Sequence, residues 1–252
     1  MENILENVNK YWEQRADAYC KVNLGELDSF KREAWSNLIQ EYTLVLTGKK
    51  LKVLDIGTGP GFLALLMASR GHDVTAVDYN EAMLEKARKN AAKCKKVISF
   101  KKMDAHSLDF EDNTFDLIIT RNLTWNLEKP DKAYQDWYRV LGPGGRLLNF
   151  DANWYLHVHD AQKRKEYEQD RLNALQRNVE DHYTCTNTEL MEAIARKLPL
   201  SKEERPQWDT KELIRIGFKR IMIEMDIGNL VWDEVEKVNY ASTPMFMIGA
   251  EK

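Results

Sequence analysis

The chain predicts an α/β fold, a mainly parallel sheet of seven strands with helices on both faces. Three observations predict it. Between residues 51 and 151, short apolar, β-branched runs alternate five times with stretches of helical period. Within that region, Leu51-Lys52-Val53-Leu54-Asp55-Ile56 runs into glycines at 57, 59 and 61. An apolar stripe, Phe62, Leu63, Leu66 and Met67, follows at once, which reads as strand, tight turn, helix. Finally, 252 residues at 43% hydrophobic content can bury one full core with an insertion.

The elements follow in order. Residues 4–42 are helical and amphipathic, with Tyr11, Trp12, Arg15, Ala16 and Tyr19 on one side and Phe30, Ala34, Leu38 and Tyr42 repeating the pattern. By periodicity alone these aromatics pack against the core. Thr47-Gly48-Lys49-Lys50 turns into the first strand. The first core helix closes at Ser69-Arg70-Gly71, Gly71 suiting the left-handed position. Asp73–Val77 is a second strand ending in Asp78. Asn80 caps a helix to about Lys93, with Met83, Leu84, Ala87 and Ala91 inward. Val97–Lys101 and Phe115–Thr120 are the third and fourth strands. Pro130 opens a helix to Leu141. Gly142-Pro143-Gly144-Gly145 is a break, and Arg146–Phe150 is the fifth strand, ending at Asp151.

The alternation lapses from Ala152 to Pro206, where polar helices at 163–179 and 187–197 read as an insertion over the ligand end of the sheet. A helix at 209–216 and strands at 218–227 and 244–250 complete the chain. Ligands of such sheets sit at the carboxyl ends of the strands. That singles out Asp55, Asp78, Asp104, Asn122 and Asp151. One such carboxylate is commonly a turn cap; a series after successive strands points to a site.

Lys+Arg 37 against Asp+Glu 40 leaves a net charge of −3 and points to no polyanionic partner. The basic cluster Lys86–Lys102 reads as a solvated face, since Glu81 and Glu85 open its helix. Cys20, Cys94 and Cys185 form no CxxC pair, and no leader or membrane-spanning run is visible, so a reduced, cytoplasmic protein with no membrane partner is expected. Oligomeric state is not legible.

Two cofactor classes fit a glycine turn followed by an acid at the end of the next strand, where Asp78 would accept from vicinal ribose hydroxyls. A dinucleotide calls for G-x-G-x-x-G and a helix dipole facing pyrophosphate. Here the spacing is G-x-G-x-G with Asp55 ahead. S-adenosylmethionine carries no phosphate and needs close backbone approach, with an acid near its ammonium.

Val53-Leu54-Asp55-Ile56-Gly57-Thr58-Gly59-Pro60-Gly61 resembles the first motif of class I S-adenosylmethionine-dependent methyltransferases. Val77-Asp78, Asp104-Ala105, Phe115-Asp116-Leu117-Ile118 and Pro143-Gly144-Gly145 follow in that family's order. The resemblance covers residues 45–151 closely, and its nearest subgroup is the small-molecule enzymes typified by ubiquinone biosynthesis. It implies a Rossmann-like sheet with an antiparallel last strand and a helical cap after the fifth. The implied parts are an N-terminal helical lid at 1–45, a cofactor-binding core at 46–151, a cap at 152–207, and a C-terminal helix with the last two strands at 208–252.

Carried over by position, Gly57, Thr58 and Gly59 would lie against the methionine part, with Asp55 holding its ammonium, often through water. Asp78 would take the ribose, Tyr79 would flank the adenine, Asp104 and Ala105 would meet its amino edge, and Met83 would belong to the same cofactor site. Asn122 would sit near the transferring methyl. Tyr11 and Tyr19 belong to a pattern similar to the helix that closes over the cofactor in this subgroup, so a lid stands beside the packing reading.

Methyl transfer from a sulfonium is an in-line displacement, and a base is needed only if the acceptor arrives protonated. Asp151 and His157 are the candidate bases by position; Trp125, Trp154 and Tyr155 either wall a small-molecule acceptor site or pack in the core, and Asn153 joins Trp125 and Trp154 as a substrate-binding candidate. Alternate His157 and His159 with Asp151 could meet a metal, but the catechol-type ligand pattern is not evident, and no metal is expected. Three rivals stand beside a small-molecule methyltransferase: an NAD-type oxidoreductase, an RNA or protein methyltransferase, and a non-catalytic S-adenosylmethionine binder. Against the second, Asn122-Leu123-Thr124-Trp125 replaces Asn-Pro-Pro-Tyr.

Overall fold

The computed structural model describes residues 3–46, 48, 50–183 and 186–252, the Val45 side chain excepted. Cys185 and part of the turn at 47–50 therefore lie outside the described residues. Cys20 is buried and Cys94 exposed, both as free thiols.

In chain order the elements are α1 (Ile4–Leu27), α2 (Lys31–Thr43), β1 (Lys52–Ile56), α3 (Phe62–Ser69), β2 (Asp73–Asp78), α4 (Glu81–Lys93) and β3 (Ser99–Lys102). Then come β4 (Phe115–Arg121), α5 (Pro130–Val140), β5 (Leu141–Asp151), α6 (Ala161–Gln176), α7 (Thr188–Ala195) and α8 (Gln207–Ile216). The chain closes with β6 (Lys219–Glu224), α9 (Gly228–Val231), α10 (Glu234–Asn239) and β7 (Phe246–Glu251).

The strands form one seven-stranded sheet in the order β3-β2-β1-β4-β5-β7-β6. β1 pairs in parallel with β2 and β4, β2 with β3, and β4 with β5. β7 runs antiparallel to both β5 and β6. The fold is thus the Rossmann-like sheet expected. Apolar residues fill both faces. Val53, Ile119, Leu148 and Met247 pack on one side under α2 and α3; Leu54, Ile118, Leu147 and Ile248 pack on the other under α5 and α8. Consecutive strand residues are therefore buried, which explains why these strands read as continuous apolar runs.

The local signals act as read. The Asn80 side chain accepts from Met83 N–H at the start of α4, and Gly217, with φ +114, ends α8. Three expectations are corrected. The Gly-Pro-Gly-Gly stretch does not end the strand's pairing: β5 starts at Leu141 opposite Phe115, loops outward, and resumes with Arg146 opposite Leu117. β3 begins two residues late, because Val97 is 95% exposed and offers nothing to bury. The strand expected at 218–227 stops at Glu224, and the chain goes on to α9 and α10, the latter opened by a capping box in which Asp233 and Glu236 satisfy each other's backbone N–H.

Candidate active site

The turn after β1 is held to β2 by the N–H groups of Gly57 and Thr58, which donate to the Val77 carbonyl at 2.9 and 3.0 Å. Gly57 has φ +67, and a Cβ there would lie 2.8 Å from Leu123 Cδ1. Only glycine combines that backbone angle with that closeness. Just ahead, Asp55 accepts from the Thr58 hydroxyl at 2.6 Å and from Ala64 N–H at 3.0 Å. Burial pushes its carboxyl up to about 7, against those two hydrogen bonds. Asp78 accepts Gly59 N–H on Oδ2 and Asn80 N–H on Oδ1, both at 2.8 Å. Burial also raises its pKa. Each of its oxygens keeps a further lone pair for a ligand hydroxyl.

These groups floor a cavity at the carboxyl ends of β1 and β2. Tyr79, Met83, Asp104 and Ala105 form one wall; Asn122, Leu123 and Asn126 form another. Leu5, Val8, Trp12 and Tyr19 from α1 roof it. Asp104 accepts both the backbone N–H and Nδ1 of His106 on Oδ1, at 2.9 and 2.6 Å. The Lys129 N–H donates to Nε2 of the same ring, which fixes the proton on Nδ1. Oδ2 of Asp104 is left for a ligand amino group, and the His106 bond holds the carboxyl below its usual range. A side recess reaches Asp55, Thr58 and Asn23, beneath which Arg121 forms a bidentate pair with Glu26 at 3.0 and 2.9 Å.

A second cavity adjoins the first. Trp125, Trp154 and Tyr155 wall it, Arg15 reaches it from α1, and His182, Tyr183 and Tyr240 line its far side. Trp125 and Tyr155 stack with ring centroids 4.8 Å apart, and Trp154 meets Tyr240 edge-on at 5.3 Å. Trp12, Tyr19 and Asn122 border both cavities. Asn122 sits at φ +56. Its N–H donates to the Phe150 carbonyl at 2.8 Å and its own carbonyl accepts Trp125 Nε1 at 3.0 Å. Its side-chain Oδ1 is buried and has no hydrogen-bond partner.

The structure brings Tyr19, Gly57, Gly59, Asp78, Tyr79, Met83, Asp104, Ala105 and Asn122 to the first cavity, Asp55 and Thr58 to its recess, and Trp125 and Trp154 to the second. Four residues fall elsewhere. Asp151 is fully buried, and its oxygens accept from Thr124, Trp125 N–H, Arg205, Ala152 N–H and Trp154 Nε1. With five donors on two oxygens it holds the two tryptophans in place rather than facing an acceptor. His157 stacks on Tyr167 at 4.1 Å and meets Glu192 at 3.3 Å. Burial, then Arg164, pushes it down to about 4, which makes it a weak base outside both cavities. Asn153 exchanges two hydrogen bonds with the Arg205 backbone. Tyr11 packs with Val8, Trp125 and Met191, and its hydroxyl accepts from Arg15 at 3.1 Å.

Sequence reasoning missed Asn126, His106, Arg15, His182 and Tyr240 as lining residues. Arg15 was legible as a member of the aromatic stripe; His182 and Tyr240 had no signal, being brought together only by the fold. Among the described residues no group of three or more His, Cys, Asp or Glu is placed to hold a metal ion, and no helix is long and apolar enough to cross a membrane.

The family profile of a methyltransferase domain matches residues 54–149. The chain is 36% identical over 107 residues to a demethylmenaquinone methyltransferase of Thermus thermophilus, covering 42% of this chain and 49% of that protein. It is 35% identical over 122 residues to the ubiquinone/menaquinone biosynthesis C-methyltransferase UbiE of a Ruegeria species, covering 45% and 46%. The chain spans about half the length of each relative. In fold it is similar to a putative S-adenosyl-L-methionine-dependent methyltransferase of Methanococcus maripaludis, with a TM-score of 0.59 and 19% identity over 95% of this chain and 93% of that one. Residues 54–149 thus match the profile of a methyltransferase domain, and they lie in a sheet whose order, with its antiparallel last strand, is the one the motif resemblance implies.

Proposed function

We propose that the protein transfers a methyl group from S-adenosylmethionine to a small molecule held in the aromatic cavity. The observation that carries this reading is the pair of adjoining cavities. One is floored by bare glycines and Asp78, the other is lined with rings, and they share Trp12, Tyr19 and Asn122 as a border. The names of the two relatives, enzymes of quinone biosynthesis, favour a small ring-bearing acceptor for this chain.

When bound, the cofactor supplies a methyl on a sulfonium, whose carbon–sulfur electron pair leaves with sulfur as the acceptor's lone pair bonds to carbon. The chain's residues then bind, orient and exclude water. Asp78 takes the ribose hydroxyls, Asp104 Oδ2 and Ala105 the adenine edge, and Tyr79 and Met83 its faces. Gly57, Thr58 and Gly59 admit the methionine part, and Asp55 balances its ammonium. Tyr19 closes over it, while Tyr11 acts indirectly by supporting Arg15. Alignment of this kind supplies on the order of 7–11 kcal/mol of a two-reactant barrier.

In the same reading residues 1–45 are a lid, 46–151 the cofactor core, 152–207 a cap and 208–252 the closing part of the sheet. The setting is cytoplasmic and the acceptor is not a nucleic acid, in keeping with a net charge of −3.

Titration calorimetry with S-adenosylhomocysteine tests the reading. Asp78→Ala removes two charge-assisted hydrogen bonds to the ribose and is expected to weaken binding by about 100-fold. Unchanged affinity in that variant, or NADH binding in place of S-adenosylhomocysteine, would sink it.

A further inference from the structure

Building on that reading, we propose that the second cavity takes an aromatic acceptor carrying a carboxylate or other acidic group, anchored by Arg15, with a ring O–H or N–H donating a hydrogen bond to Oδ1 of Asn122. Three observations support the parts of this statement. The walls are rings: Trp125, stacked on Tyr155, and Trp154, edge-on to Tyr240, line the cavity with aromatic surface that suits a ring-bearing ligand. The charge in that cavity has one sign. Arg15 lines it, and no Asp or Glu does among the described residues.

Arg15 is held by the Tyr11 hydroxyl and lies 5.8 Å above the rings of both Tyr11 and Trp12, and among the described residues it makes no ion pair. The ring faces that could attract an ammonium from that side already carry a guanidinium. A cationic acceptor would meet a like charge, and an anionic one a donor fork suited to it.

The third part is Asn122. A buried side-chain acceptor without a donor costs free energy that native proteins seldom leave uncompensated. The residue stands at φ +56, an angle retained when the surroundings require it. The residue borders both cavities, so a turn of its amide that brings Oδ1 to the cavity surface would let a donor on an acceptor molecule satisfy it where the two reactants meet. Arg15 and Asn122 thus grip the two ends of one ring.

The test uses the full chain loaded with S-adenosylhomocysteine and three probes built on one catechol ring: 3,4-dihydroxybenzoate, 4-methylcatechol and dopamine. Calorimetry is expected to rank them anion, neutral, cation, with about tenfold between first and last, the size of one charge-assisted hydrogen bond. In Arg15→Gln the preference of anion over neutral should fall to about one; Arg15→Lys should keep part of it. Asn122→Ala should weaken all three alike, its anion preference intact. Each ratio is taken within a single variant, so it does not depend on how much of that variant folds. Dopamine binding as tightly as the benzoate, a ratio untouched by Arg15→Gln, or no probe binding to the loaded protein would each overturn the proposal. Failure of S-adenosylhomocysteine itself to bind would overturn the underlying reading instead.

Discussion

Asp55 is the residue whose chemistry reaches furthest. Its carboxyl, raised to about 7, is largely neutral in the empty protein near pH 6, whereas a cofactor ammonium favours the carboxylate. Affinity for S-adenosylhomocysteine should therefore rise by about tenfold between pH 6 and 8, with proton release near neutrality. Calorimetry in buffers of different ionisation enthalpy reads both, and Asp55→Asn should abolish them. The sign for stability is opposite. A carboxyl raised above its unfolded value of 3.8 favours the ligand-free fold at low pH, and that contribution is lost as pH climbs from about 4 to 7. Asp55 was legible because it precedes the glycine turn. Asp151 shows the limit: its place at a strand end was readable, but the donors that occupy it were not, since Arg205 and Thr124 stand 54 and 27 residues away.

At the scale of elements, α1 carries most of the functional interest. Its amphipathic period was visible and by itself pointed to packing; roofing came only from the family resemblance, and the structure divides the face between the two. Tyr11 and Ala16 are buried, while Trp12 and Tyr19 stay half-buried above the cavities. Polar links tie α1 to α4. The Asn80 side chain donates to the backbone and side chain of Asn9 while capping α4, and Asn90 contacts Cys20. Asn80 also donates its N–H to Asp78, so one residue joins the roof to the carboxylate on the cavity floor. Trp12→Ala should speed S-adenosylhomocysteine dissociation by about fivefold to tenfold through lost ring contact, measured by stopped-flow displacement. α9 and α10 escaped notice because four and six residues carry too little period to read, although Asp233-x-x-Glu236 was a usable start signal.

For the molecule as a whole, the sheet was almost entirely legible, since parallel strands buried on both faces announce themselves as apolar runs. The polar joint behind the ring-lined cavity was not. There Arg205 pairs with Asp151 at 2.7 Å and Asp209 at 2.8 Å, and the Tyr134 hydroxyl donates to Asp209 at 2.5 Å, all within the closed interior. The joint fastens α8 and the segment before it to β5, to α5 and, through Thr124, to the loop after β4. Two buried carboxylates share one guanidinium, so Arg205→Met leaves both uncompensated and should cost about 3–5 kcal/mol. Thermal unfolding should then fall by roughly 10 °C for a chain of this size. A variant as stable as the parent would show that the carboxylates find other partners.

In the proposed lid reading, α1 contributes residues to both compartments, so it would have to lift before either reactant is exchanged. The two products would leave by one door, and the pace of turnover would be set by how often the door swings rather than by how fast the bond forms. Raising solvent viscosity should then slow steady cycling while leaving a first, pre-loaded turnover untouched.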